Sequence, residues 1–219
     1  MRSGALLLEG LIAGLVIILV VADHPQGGLD PIAPPPGSTS APKPAETPSS
    51  STAVPPAAAV ENPALPASVD EATGNLRGRS LLIPVQGITR NDLQNTFDDP
   101  RDKTRVHEAL DILAPSGTPV LATEDGTIEK LFTSVRGGLT IYQFDPTRTY
   151  CYYYAHLDHY RPGLKEHERV SRGDVIGFVG TTGNAPKNTP HLHFSIFLLT
   201  DKKEWWEGTA LNPYNVWAR

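Results

Sequence analysis

From residue 78 to the C-terminus the chain is cut into short apolar runs by turn residues at intervals of roughly 8–12 residues, a rhythm that suits strands and leaves little room for helices. The runs at 81–85, 110–114, 120–122, 127–132, 139–144, 149–157, 174–179 and 191–199 are rich in Val, Ile, Leu, Tyr and Phe. Between them stand Pro115-Ser116-Gly117-Thr118, Asp125-Gly126, Gly137-Gly138 and Gly180-Thr181-Thr182-Gly183-Asn184. The pattern predicts a mainly β domain built on an antiparallel sheet, over residues 76–219. Helix is expected only as a short piece, near 165–170 or at Glu204-Trp205-Trp206. A stretch of about 145 residues is long enough to bury one core.

The first third of the chain reads differently. Residues 5–22 form the one long apolar run, and as a helix its 18 residues would span about 27 Å, near the hydrocarbon thickness of a bilayer. Glu9 lies near one end, where a charge costs least. Arg2 before the run and Asp23 after it put the N-terminus in the cytoplasm. A cleaved signal peptide would use Val20-Val21-Ala22 as its cleavage site, but no polar spacer precedes that site, so an uncleaved anchor over residues 1–22 is favoured. The third reading is a buried soluble helix. Both leading readings export the rest of the chain.

Residues 23–75 are rich in Pro, Ala, Ser and Thr, and predict a disordered linker with a contour near 150 Å if fully extended. Six acidic residues against Lys43 give the linker essentially all of the net charge of −5. Residues 73–219 are neutral, with no basic stripe, which excludes nucleic acid as a partner. The single cysteine, Cys151, excludes an internal disulfide or a paired-thiolate metal knuckle.

Three groups of residues carry chemistry. His191 and His193, two apart in a strand, project from one face while Leu192 and Phe194 take the other. Such a pair suits a metal ligand beside a proton-transfer partner, and equally two histidines on a wet sheet face. His107 and Asp111 are four apart. On a helix they would resemble a zinc-binding HExxH turn with Glu108 as base, but Pro115 and Gly117 break such a helix, so an extended segment is expected, with Glu108 solvated. In the third group, parity puts Tyr150, Tyr152, Tyr154 and His156 on one face, and Cys151, Tyr153, Ala155 and Leu157 on the other. Cys151 then reads as a small core residue. Each group alone has an ordinary surface explanation; together, two histidine motifs and a His…Asp pair favour a metal.

His107-x-x-x-Asp111, Tyr154-Ala155-His156 and His191-Leu192-His193, in that order, resemble the motifs of the lysostaphin-type (LytM-domain) zinc metallopeptidases. The stretches Asp111-Ile112-x-Ala114-Pro115-x-Gly117-Thr118-Pro119-Val120 and Gly180-x-Thr182-Gly183 match as well, so the likeness covers residues 80–215. The resemblance implies a duplicated-hybrid-motif barrel-sandwich fold and hydrolysis of peptide crosslinks or stems of bacterial peptidoglycan. It implies one Zn²⁺ held by His107, Asp111 and His193, with a fourth position for water, and His156 and His191 as unligated catalytic histidines. The alternative is a non-catalytic module of this fold that binds or activates another wall hydrolase. The expected setting is the cell envelope, anchored in the inner membrane through residues 5–22 with the domain in the periplasm, or secreted if the leader is cut. Ala109 stands where the family usually has glycine, which would cost about 1 kcal/mol at a positive φ, or would narrow the groove if it lay under substrate.

Overall fold

The structure is a computed structural model and describes residues 65–101 and 104–217. The apolar run at 5–22 and most of the expected linker lie outside the described residues. Among the described residues nine strands form one antiparallel sheet: β1 (Leu110–Leu113), β2 (Pro119–Leu121), β3 (Gly126–Ser134), β4 (Gly138–Phe144), β5 (Tyr150–Tyr160), β6 (Arg169–Val170), β7 (Val175–Val179), β8 (His191–Leu199) and β9 (Gly208–Leu211). The main order is β1-β8-β5-β4-β3-β6, with β9 also on β8 and with β7 joining β5 to β2. The expected mainly β antiparallel architecture is present.

Alternation along the strands sorts the side chains. Tyr150, Tyr152 and Tyr154 of β5 and Leu192, Phe194 and Ile196 of β8 point into the main core. Asp111, His191, His193 and Tyr153 point out of the other face, because the side-chain period of a strand is two. Cys151 is fully buried, in a small second cluster with Phe144 and Leu199, and burial pushes its thiol well above the usual range. It is a core residue.

Several local expectations need correction. The 81–85 run forms no strand; Val85 alone bridges to Val120, and Pro84 within the run has no N–H to offer a ladder. Neither 165–170 nor 204–206 is helical. His167 takes a positive φ of 66° that breaks the first, and residues 204–207 make a hydrogen-bonded turn. The described helices lie instead at the edges of the domain: α1 (Val69–Arg77) and α2 (Pro213–Trp217).

Helix α1 also moves the domain boundary, because its first seven residues fall inside the expected 23–75 linker. Ser68 accepts a hydrogen bond from the Glu71 N–H at 3.1 Å, and Glu71 accepts one from the Ala67 N–H at 2.9 Å, so the first turn is capped. Ala72 and Leu76 are fully buried, and the Tyr150 hydroxyl donates to the Ala72 carbonyl at 3.2 Å. Beyond the helix, Arg79 pairs with Glu124 at 2.9 Å and Asp145 at 3.0 Å. The Pro/Ala-rich composition fades before Ser68, and among the described residues the first helix starts directly after it. Leu76→Ala should lower the unfolding free energy by about 3 kcal/mol, read from urea denaturation. A change under about 0.5 kcal/mol would mean that α1 is not part of the cooperative core.

Candidate metal centre

The pairing of β1, β8 and β5 creates the site. Asp111 lies between the buried Leu110 and Ile112, so its carboxylate emerges on the outer face. The register sets Asp111 opposite His193 on β8, and His193 opposite Ala155 on β5. His107 arrives from the loop before β1. The chain turns at Glu108, whose φ is 54°, so His107 and Asp111 meet through a left-handed turn and not through strand parity. Glu108 is half-buried and serves through its backbone: its N–H donates to the Phe97 carbonyl at 2.9 Å and its carbonyl accepts from Ser195 Oγ at 3.1 Å.

Three donor atoms converge there. His107 Nε2 lies 2.9 Å from Asp111 Oδ1 and 2.9 Å from His193 Nδ1, and His193 Nδ1 lies 3.2 Å from Asp111 Oδ1. The Nδ1–H of His107 is taken by the Thr96 carbonyl at 2.8 Å, which leaves Nε2 with a bare lone pair aimed at a carboxylate oxygen. Facing acceptors repel unless a cation lies between them. Two imidazoles and a carboxylate with ligand atoms within 4.8 Å of one another are a donor set that could hold a metal ion. Burial alone would raise the Asp111 carboxyl, but its contacts with His107 and His193 outweigh that and hold it well below the usual carboxylate range. Burial lowers the His193 imidazole, against the pull of Asp111. Both groups are therefore held in the deprotonated forms that ligate metal.

His156 and His191 stand beside this set. Their ring centroids are 5.0 Å apart, and that of His156 is 5.6 Å from that of His193. His191 Nε2 lies 3.8 Å from Asp111 Oδ1. Each gives its Nδ1–H to a carbonyl at 2.8 Å, His156 to Thr182 and His191 to Thr189, so both leave Nε2 free toward the site.

Parity groups His156 with Tyr154, but Tyr154 faces the main core and His156 does not. Tyr154 pairs with Ile141 and Leu157 with Leu139, so β5 carries one extra residue there. His156 takes a φ of 60° in this bulge and swings to the outer face, while Leu157 returns to the core. Here β5 leaves β8 and begins to pair with β7. Two contacts hold the bulge: the His156 N–H donates to the Gly137 carbonyl at 2.8 Å, and Thr182 accepts from the imidazole. Thr182 is fixed in turn, its hydroxyl donating to the Leu157 carbonyl at 2.7 Å and accepting from the Leu139 N–H at 3.0 Å. A Cβ on Gly183, whose φ is 72°, would come within 2.2 Å of the Arg136 carbonyl. The Thr182-Gly183 pair thus brings this loop onto the β3–β4 turn and clamps His156.

Three residues at the site have no sequence signal of their own. Thr96 serves both sides, its carbonyl taking His107 and its hydroxyl accepting from the Asp111 N–H at 3.0 Å. Arg101 pairs with Asp111 Oδ2 at 2.6 Å and leaves Oδ1 to the histidines. Tyr153 packs edge-on to His193 with centroids 5.9 Å apart. Ala109 has no positive φ and is fully buried, so neither consequence expected of the missing glycine follows.

Residues 105–213 match the description of peptidase family M23. The chain is 36% identical over 159 residues to the L-Ala--D-Glu endopeptidase of Bacillus subtilis, covering 68% of this chain and 47% of that protein. It is 36% identical over 142 residues to the peptidoglycan DD-endopeptidase ShyC of Vibrio cholerae, covering 60% of this chain and 32% of that protein. The chain therefore spans less than half the length of these curated relatives. Among solved structures, a lytM protein of Ruminococcus gnavus superposes with a TM-score of 0.53 at 26% identity, covering 67% of this chain and 63% of that one.

Burial holds the pKa of His156 down to about 4. Because the folded value lies below the unfolded one, the contribution to stability is complete above about pH 6.5 and is lost as pH falls toward 4. Nitrogen-15 NMR of the metal-free protein should show His156 neutral, with its proton on Nδ1, from pH 7 down to 5. A midpoint near 6.5 would contradict the burial of this ring.

Proposed function

Since the chain belongs to peptidase family M23 through residues 105–213, we propose that it is a zinc-dependent endopeptidase that hydrolyses peptide crosslinks or stems of bacterial peptidoglycan. The observation that carries this reading is the convergence of His107 Nε2, Asp111 Oδ1 and His193 Nδ1, three ligand atoms within 4.8 Å of one another on the outer face of the sheet. The relatives named as peptidoglycan endopeptidases support the substrate class. Nothing at the site favours a non-catalytic module, since all three donors and both neighbouring histidines are present.

His107, Asp111 and His193 would hold the metal. When bound, zinc supplies a Lewis acid and lowers the pKa of water from 15.7 to about 7. The remaining work falls to the protein. His156 and His191, each with Nδ1–H tied to a carbonyl, can accept a proton at Nε2 when neutral and donate one from Nε2 when charged. One takes the proton of the attacking water and the other donates toward the oxyanion on the scissile carbonyl. Thr96 and Thr182 orient the rings through backbone carbonyls, so the groups need little rearrangement during the reaction. The apolar run at 5–22 and the Pro/Ala-rich stretch after it support a place in the cell envelope, tethered to the membrane while the domain reaches the wall. Among the described residues no helix is long and apolar enough to cross a membrane.

The full chain with zinc should release soluble peptides from isolated sacculi. His193→Ala should abolish that release together with metal retention. His156→Ala and His191→Ala should each lower kcat by about 10²–10⁴ while keeping stoichiometric metal. No release by the unaltered protein, or full activity in His193→Ala, would overturn the assignment.

A further inference from the structure

The outer face of the sheet carries a line of rings that the metal site does not use. Tyr142 pairs with Tyr153 across β4 and β5, which places both on the face of His193. From His193 the ring centroids step to Tyr153 at 5.9 Å, Tyr142 at a further 4.7 Å, Trp205 at 4.6 Å and Trp206 at 5.0 Å. Tyr142 and Trp205 pack against a small cluster around Phe144 and Leu199 and are half-buried. Trp206 is different. It is 46% exposed at the end of the line, with its plane at 83° to that of Trp205.

An indole left in water at that exposure loses much of the benefit of burial. Its loop is nonetheless held in shape: the Lys203 N–H donates to the Thr200 carbonyl at 3.1 Å, the Glu207 N–H to the Glu204 carbonyl at 3.2 Å, and Lys202 pairs with Glu207 at 3.7 Å. A flat aromatic plane in a braced loop whose sequence also carries Lys202, Lys203, Glu204 and Glu207 matches a ligand with an apolar face and a polar rim. A pyranose ring is such a ligand, with axial C–H groups on its face and hydroxyl or acetamido groups around its edge. An extended peptide would need backbone partners or side-chain pockets, and an isolated indole plane offers neither. The steps place Trp206 no more than roughly 20 Å from His193, within the span of a fully extended peptide of about six residues.

We propose that the aromatic line is a substrate track and that Trp206 is its sugar subsite, stacking on a hexosamine ring of the glycan strand while the attached peptide lies over the metal centre. This rests on the peptidoglycan reading above and adds to it a contact with the glycan. Trp206 sets affinity and touches no reacting atom.

The test has two arms. In the first, the full chain is titrated with a tetramer of N-acetylglucosamine and tryptophan fluorescence is followed. A saturable change that disappears in Trp206→Ala and survives in weakened form in Trp206→Phe is the expected result. No saturable change, or one unaltered in Trp206→Ala, would overturn the proposal. The second arm compares crosslinked muropeptides carrying their disaccharides with the same peptides freed of sugar. Trp206→Ala should raise KM about five- to tenfold on the sugar-bearing substrate, leave kcat unchanged, and leave the sugar-free kinetics as they are. An equal rise on both substrates would make the track a peptide subsite, and no rise on either would remove it from binding; both overturn the proposal. If the unaltered protein cleaves neither substrate, the peptidase reading fails, and the first arm still decides whether Trp206 binds sugar.

Discussion

Asp111 faces His193 across the β1–β8 ladder, and the rest of the site depends on that pairing. A shift of β1 by one residue in this register would turn Asp111 into the core and bring Leu110 or Ile112 to the surface. The core prevents it. Leu110, Ile112, Leu192 and Phe194 are buried on the opposite face, and the strand that positions the donors is the strand that fills the interior. Packing energy therefore fixes the geometry of the donors, and the polar atoms contribute chemistry more than stability.

Two backbone departures complete the arrangement that the ladder begins. Glu108 and His156 both take positive φ values, which cost a residue with a side chain about 1–3 kcal/mol each. The first turns His107 onto Asp111. The second lifts His156 out of the core face at the point where β5 changes partner from β8 to β7. Each is held by hydrogen bonds from outside its own strand, through Phe97 and Ser195 in one case and Gly137 and Thr182 in the other. Local strain is balanced by neighbouring contacts and yields four imidazoles within a few ångströms, three of them with Nδ1 held by a backbone carbonyl.

Much of this was legible in the residues. Turn spacing indicated the antiparallel sheet, and alternation put His191 and His193 on one face; Cys151 is buried as expected, but under a second cluster on the face of Tyr153 and not in the main core. Three ordered motifs named the five polar residues that the fold brings together. Parity failed at His156 because a bulge inserts one residue, and nothing in Tyr154-Ala155-His156 signals the insertion. Thr96 and Arg101 were hidden because they lie in a loop whose course is set by long-range packing. Helix α1 is another matter: Ser68-Val69-Asp70-Glu71 carries the spacing of a capping box, but the surrounding Pro/Ala-rich composition masked it.

The central claim is that His107, Asp111 and His193 form one zinc centre. Zinc K-edge X-ray absorption on the full chain, purified without chelator, tests it most directly. The account predicts stoichiometric zinc with nitrogen and oxygen ligands only, including the multiple-scattering signature of two imidazoles. Failure to retain zinc, or an imidazole signature that is the same in His193→Ala, would contradict it.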